Sequence, residues 1–171
     1  FIFMALQAIA LAATTFAGQN YGAKKHERIK QGVKVSIGLV IGLAAVLSVI
    51  GAIFAEELIG IFNKDPAVIK YGAECLYTLA TAYWIYGISE VFGGFIRGAG
   101  KAMPPMIISI FSMCGLRMVW IYTALEVWPS MRIIYLSYPI SWLVTCILTT
   151  LYYFFGKWRP EDQIKEKEQI I

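Results

Sequence analysis

Residues 75–101 read CLYTLATAYWIYGISEVFGGFIRGAGK, and the long apolar run before Arg97 holds a single charge, Glu90. A helix needs about 20 apolar residues to cross a hydrocarbon core ~30 Å thick. Four other runs of similar length hold one further charge between them, Arg117. The sequence therefore predicts five transmembrane helices, at residues 1–23, 35–55, 75–96, 102–125 and 133–155.

The composition points the same way. Hydrophobic residues make up 58% of the 171 positions and charged residues only 15%, against about a quarter charged in ordinary soluble domains. A net charge of +4 gives no polybasic surface, so nucleic acid is not an expected partner. The predicted fold class is an all-α membrane protein: a five-helix bundle over residues 1–159, followed by a charged tail at 160–171.

The sequence lacks the residue patterns of an enzyme or a metal site. Cys75, Cys114 and Cys146 are far apart within apolar runs, and His26 is the single histidine. There is no HExxH motif, no paired aspartate and no Ser/His arrangement. We expect no catalytic residue, no metal ligand and no cofactor.

The chain begins at Phe1 with no basic segment before the first apolar run, which is not the pattern of a signal peptide. We interpret it as the interior of a longer protein. Part of any functional site is then expected to lie upstream of this sequence.

Glu90 is the strongest functional candidate, because an acidic side chain inside a bilayer costs at least ~2.5 kcal/mol to insert and usually faces a cavity or a partner. Tyr83 and Tyr86 share its helical face at spacings of seven and four residues, and Arg97 lies seven residues after it. The alternative is that Glu90 is neutral or hydrogen-bonded, and that the nearby glycines only pack helices.

Arg117 is the second intramembrane charge. Side chains tilt toward the N-terminus of their own helix, so Glu90 and Arg117, on antiparallel helices, are expected to lean toward each other. Arg117 either contacts Glu90, caps backbone carbonyls or faces an aqueous cavity. Met113 and Trp120 share its face, while Gln7 on the first helix either lines a cavity or bonds another helix.

Three motifs occur in order along the chain: GQN-x-GA at residues 18–23 before a basic loop, RGAG-x-x-x-PP at 97–105, and C-x-x-R-x-x-W ending at Trp120. With them, the sequence resembles the C-terminal lobe of the multidrug and toxic compound extrusion (MATE) family, over nearly the whole chain up to Arg159. The resemblance implies twelve helices in two six-helix lobes, of which this chain provides the last five.

The resemblance also implies a function. It suggests a secondary active antiporter that exports organic cations or amphiphilic drugs in exchange for H⁺ or Na⁺ by alternating access, with the missing N-terminal lobe and the bilayer as partners. Glu90 matches an acidic position on the tenth helix, although some relatives place that carboxylate one turn earlier, where this sequence has Tyr86. Structural turns are implied at Gly18, Gln19, Gly22, Arg97, Gly98 and Gly100.

Two other functions remain open. A flippase for lipid-linked sugars, in the same superfamily, would use cationic cavity residues such as Arg117. A small substrate-binding membrane subunit would have few helices and no ion coupling.

The loops predict an orientation. If each run crosses once, one side collects eleven Lys and Arg and the other three, whereas acidic residues divide equally. Basic residues are enriched in cytoplasmic loops. The basic loop at residues 24–34 and the C-terminal tail are therefore expected to be cytoplasmic, in a protein of the plasma membrane.

This orientation is testable with single cysteines at His26 and Asp65 in a cysteine-free full-length protein. An impermeant thiol reagent added outside intact cells should label position 65 and not position 26. Labelling of position 26 alone would reverse the assignment.

Overall fold

A computed structural model of the chain describes residues 2–159, and every regular element in that range is a helix. The predicted tail at 160–171 lies outside the described residues. The elements are α1 (Ile2–Gly22), α2 (His26–Ile53), α3 (Ala55–Phe62), α4 (Pro66–Ala80), α5 (Tyr83–Gly98), α6 (Met103–Ser109), a π-helical segment (Ile110–Leu116), α7 (Arg117–Val127) and α8 (Met131–Phe155).

Four of the five predicted crossings are helices long and apolar enough to span a bilayer: α1, α2, the continuous helix Met103–Val127, and α8. Many of their leucine, isoleucine and phenylalanine side chains point away from the bundle, as at Leu39, Phe111 and Ile147. Lipid is the environment in which such outward apolar side chains are stable. The prediction of an all-α, multi-pass membrane protein is confirmed.

The remaining predicted crossing, at residues 75–96, is not one helix. It is divided between α4 and α5, which meet at Thr81 and Ala82. The indole of Trp84 donates to the Thr81 carbonyl at 2.9 Å, and the Ile85 amide bonds instead to Ala82, at 3.0 Å. A side chain thus replaces the backbone donor at the break, so hydropathy alone could not locate it.

The start of α4 is fixed by an N-terminal cap. Asp65 caps this helix by accepting from the Ala67 amide at 2.8 Å, and Pro66 occupies the first turn, where a missing N–H costs nothing. The helix therefore begins before the apolar run does. The short helix α3, which the sequence analysis did not predict, packs against it through Ile59 and Gly72.

Helix α5 occupies the middle of the bundle, in contact with α1, α2 and α8. Its residues from Ser89 to Ile96 are all buried. Glycines allow the close approach to α1: a methyl group added at Gly94 would lie 2.7 Å from the Ala10 carbonyl oxygen, and one at Gly98 would overlap Thr14. Small residues at a crossing let helix backbones pack directly.

We predict that Gly94→Ala destabilises the protein, because the added methyl group has backbone on its far side and cannot be accommodated by a side-chain rotation. Overpacking of this kind costs about 1–3 kcal/mol. The matched control is Gly38→Ala on α2, where a methyl group meets nothing within 4 Å. Thermal unfolding of the full-length protein in detergent should show a lower melting temperature for Gly94→Ala only. Equal melting temperatures for the two variants would mean that α1 and α5 are not in close contact.

Candidate functional site

Glu90 lies within the bundle and forms an ion pair with an arginine of its own helix. Arg97 Nη2 donates to Glu90 Oε2 at 3.2 Å. The carboxyl side chain is 11% exposed and the guanidinium side chain 33%. A separation of seven residues is about two helical turns, so both lie on one face of α5. The carboxylate is therefore neutralised within α5, and the arginine connects it to the surface of the bundle.

The predicted tyrosines precede Glu90 on the same face of α5. Tyr86 donates from its hydroxyl to Gln7 Oε1 at 3.2 Å, which joins α5 to α1. Its ring packs against Phe3 at 4.5 Å and against Trp142 at 5.5 Å between centroids. Tyr83 also lies against Trp142, at 5.7 Å. The structure therefore brings Gln7, Tyr83, Tyr86 and Glu90 into one region of α1 and α5.

An open groove of about 560 Å³ runs along α1 and reaches Arg97. Its polar contributors are Gln7, Thr14 and Arg97, and the rest of its lining is methionine, leucine and alanine. Arg97 therefore contacts the groove with one side and Glu90 with the other. A groove of this composition suits an amphiphile, and a ligand that displaces Arg97 would uncover the carboxylate.

Of the three alternatives for Arg117, a contact with Glu90 is not among the ion pairs of the described residues. Arg117 Nη2 donates to Ser141 Oγ at 2.8 Å, and its guanidinium carbon lies 4.1 Å from the centroid of the Tyr138 ring. Arg97 supplies the charge that Glu90 needs. Arg117 interacts with α8 instead, through a hydrogen bond to Ser141 and a cation–π contact with Tyr138.

Met113 and Trp120, which share a face with Arg117, contact other parts of the bundle. Trp120 donates from its indole to the Ile133 carbonyl at 3.2 Å, which joins α7 to α8. Met113 packs against the core. A π-helical segment ends immediately before Arg117, and among the described residues the buried Ser112 Oγ and Arg117 Nε have no hydrogen-bond partner. Arg117 and Trp120 thus contact α8, and Met113 packs against the core.

The residues predicted as structural turns lie partly in helices. Gly18, Gln19 and Gly22 are in the last turns of α1, and the chain reverses at residues 23–25, where Lys24 has φ +56°. Arg97 and Gly98 end α5, and Gly100 has φ +88°.

The two glycine motifs meet in space. A methyl group at Gly18 would lie 3.3 Å from the Gly98 carbonyl oxygen. The residues that resemble two separate turn motifs of a transporter family therefore form one α1–α5 crossing, next to the Arg97 side of the groove.

The sequence analysis missed three residues that complete these regions. Ser141 and Tyr138 bind Arg117, and Trp142, 1% exposed, packs against both predicted tyrosines. All three lie on α8 around Pro139. Serine next to an intramembrane proline was the one available signal, since it indicates backbone carbonyls in need of donors.

Comparison with known proteins finds similarity to one family and to several proteins named for multidrug resistance. A family model described as MatE matches residues 1–123. The Bacillus subtilis (strain 168) protein named "Probable multidrug resistance protein YoeA" is 24% identical over 160 residues, which is 91% of this chain and 34% of that protein. A second protein of that strain, "Probable multidrug resistance protein YpnP", is 28% identical over 94% of this chain and 36% of its own length.

A third similar protein is the "Probable multidrug resistance protein NorM" of Thermotoga maritima. It is 28% identical over 116 residues, which is 68% of this chain and 25% of that protein. The chain thus spans about a third of the length of YoeA and YpnP, and a quarter of this NorM.

Proposed function

The chain belongs to the MatE family, and from that premise we propose that it is part of a secondary active antiporter of the plasma membrane. The protein would export organic cations or amphiphilic drugs in exchange for H⁺ or Na⁺ by alternating access. The names of YoeA, YpnP and NorM support multidrug export as the activity.

The observation that carries the proposal is the Glu90–Arg97 pair beside the groove. An ionised carboxylate inside an apolar bundle needs a positive charge beside it, because a buried charge without a partner is strongly destabilising. In this conformation the cation is Arg97. A proton or Na⁺ on Glu90 would take that role and release Arg97 toward the groove.

This exchange would link ion binding to a change of shape. A ligand shifts a conformational equilibrium only by its differential affinity for the two states. The ion would favour the state in which Arg97 has left Glu90, and the released guanidinium would repel a cationic substrate from the groove. Substrate and coupling ion would then occupy the protein in turn, as antiport requires.

The groove lies on the outward side of α1, where Met4 is 72% and Leu11 69% exposed. A central cavity enclosed by two lobes would cover this side. The proposed partners are therefore the N-terminal lobe of the same protein, the bilayer and a small-molecule substrate. The C-terminal tail would lie in the cytoplasm.

The lipid-linked sugar flippase is a weaker proposal. It depends on Arg117 as a cavity cation for a phosphate, and that side chain is engaged by Ser141 and Tyr138. The small-binding-subunit alternative is also weaker, because the MatE match extends over most of the chain.

We predict that Glu90→Gln in the full-length protein lowers ion-driven efflux about 10-fold or more, while the protein still reaches the membrane. Glutamine keeps the size and hydrogen bonding of the side chain but binds neither a proton nor Na⁺ as a carboxylate does. The measurement is export of a cationic dye from proteoliposomes with an imposed H⁺ or Na⁺ gradient. Glu126→Gln, on the exposed end of α7, is the matched control and should transport normally.

Efflux by Glu90→Gln with an unchanged dependence on pH and Na⁺ would contradict the proposal. Glu90 would then only pack and pair within the bundle. The coupling group would have to lie elsewhere in the protein.

A further inference from the structure

A second cavity lies at the end of the bundle that carries the basic loop, and it shares no lining residue with the groove. It has a volume of about 490 Å³ and lies between the start of α2 and the end of α8. We name it the α2–α8 cleft and define it by six of its lining residues: Lys30, Lys34, Ile37, Phe92, Tyr153 and Phe154. None of these side chains takes part in the proposed ion-coupling region.

The cleft is polar at one end and apolar at the other. Lys30, Lys34 and Ile37 follow one another on a single face of α2, at spacings of four and three residues. At 1.5 Å per residue, Ile37 lies about 10 Å deeper than Lys30. Phe92 of α5 and Phe154 of α8 lie at the same cavity. A ligand that fills the cleft would therefore have an anionic head and a hydrocarbon tail.

The polar end carries a small excess of positive charge. Lys30, Lys34 and one acid, Glu27, line the cavity there, and the sequence just before them also holds Lys24, Lys25 and Arg28. Glu27 pairs with Lys30 at 2.8 Å, but their side chains are 80% and 69% exposed. Exposed pairs of this kind are weak, so a phosphate can compete for Lys30. Among the described residues Lys34 forms no ion pair.

The wall of the cleft at α8 is held in place by aromatic packing. Tyr153 lies 4.8 Å from Phe92 and 4.8 Å from Trp158 between ring centroids. Trp158 is 1% exposed, and its indole donates to the Tyr153 carbonyl at 2.6 Å. This contact folds the chain after α8 back onto the bundle and places Arg159 in an adjoining cavity that shares Lys30 and Tyr153.

We propose that the α2–α8 cleft binds an anionic phospholipid of the surrounding leaflet. The lipid phosphate would contact Lys30 and Lys34, and an acyl chain would lie along Ile37, Phe92 and Phe154. Basic pockets between transmembrane helices are suited to anionic head groups, and tyrosine and tryptophan are favoured at the level of the head groups. Charge complementarity selects this occupant over a cationic drug, which the lysines repel.

The proposal is independent of the proposed transport function, since it needs only a membrane-embedded bundle. A bound lipid would connect α2 to α8 at the end where α5 also terminates. It would therefore stabilise the packing of the three helices and raise the melting temperature of the protein.

The test uses the full-length protein in a neutral detergent, titrated with phosphatidylglycerol and with phosphatidylcholine, and observed by native mass spectrometry. The double variant Lys30→Gln/Lys34→Gln should bind phosphatidylglycerol about 30-fold more weakly, because each lysine near an anionic head group contributes a factor of about five. The matched control is Lys64→Gln/Lys70→Gln, which removes the same charge between α3 and α4 (Lys64) and near the start of α4 (Lys70), and it should bind as the unmodified protein does.

A third variant separates a lipid site from a merely charged surface. Ile37→Trp fills the apolar half of the cleft and keeps every lysine, so it should also weaken phosphatidylglycerol binding. Inorganic phosphate at millimolar concentration should not displace the lipid, because it cannot use the apolar half.

Three results would overturn the proposal. One is an equal loss of binding in the two lysine double variants, which would indicate general electrostatic attraction. Another is displacement of the lipid by inorganic phosphate, which would indicate a free-anion site. The third is unchanged binding by both Lys30→Gln/Lys34→Gln and Ile37→Trp.

Discussion

A buried carboxylate among apolar helices needs a compensating charge, and this requirement governs the centre of the bundle. Glu90 meets it with Arg97, two turns along α5, at 3.2 Å. Pairing within one helix leaves the neighbouring helices free to supply uncharged contacts. One of these is the hydrogen bond from Tyr86 to Gln7. It also leaves the more distant Arg117 to α8, where Ser141 and Tyr138 bind it. The Glu90–Arg97 pair therefore accounts for the charged part of the region beside the groove, and Arg117 takes part in contacts with α8.

Close helix packing makes that pairing possible. Gly94 and Gly98 let α5 approach the backbone of α1 at Ala10 and Thr14, so α1 packs directly beside the segment of α5 that carries Glu90 and Arg97. Gly87 accepts Val40 of α2 in the same way. The groove reaches Arg97 because α1 is narrow here, with alanine at positions 8 and 10. The glycines at positions 18 and 98, which belong to two of the sequence motifs, thus pack α1 against α5. Arg97 lies beside this crossing and is accessible from the groove.

The sequence was sufficient to predict the helical class, four of the crossings and the position of Glu90 inside an apolar helix, because charge depletion is a local property of the chain. It also placed Arg97 on the face of Glu90. It could not rank Arg97 against Arg117 as the partner, because that choice depends on distances between helices. The break at Thr81 was invisible to hydropathy, since it depends on the Trp84 indole bonding a carbonyl. The contacts of Arg117 with Tyr138 and Ser141 likewise depend on how α8 packs against the rest of the chain, which a single sequence does not give.

A double-mutant cycle in the full-length protein tests the central claim, the pairing of Glu90 with Arg97, most directly. Glu90→Gln, Arg97→Gln and the combined variant would be compared by thermal unfolding, with Glu90→Gln/Arg117→Gln as the second cycle. Contacting charges couple by about 0.5–3 kcal/mol, whereas distant sites are additive within about 0.5 kcal/mol. The account predicts that Arg97→Gln is strongly destabilising, that the added Glu90→Gln restores part of that loss, and that the Arg117 cycle is additive. Additivity for Glu90 and Arg97, together with coupling between Glu90 and Arg117, would contradict it.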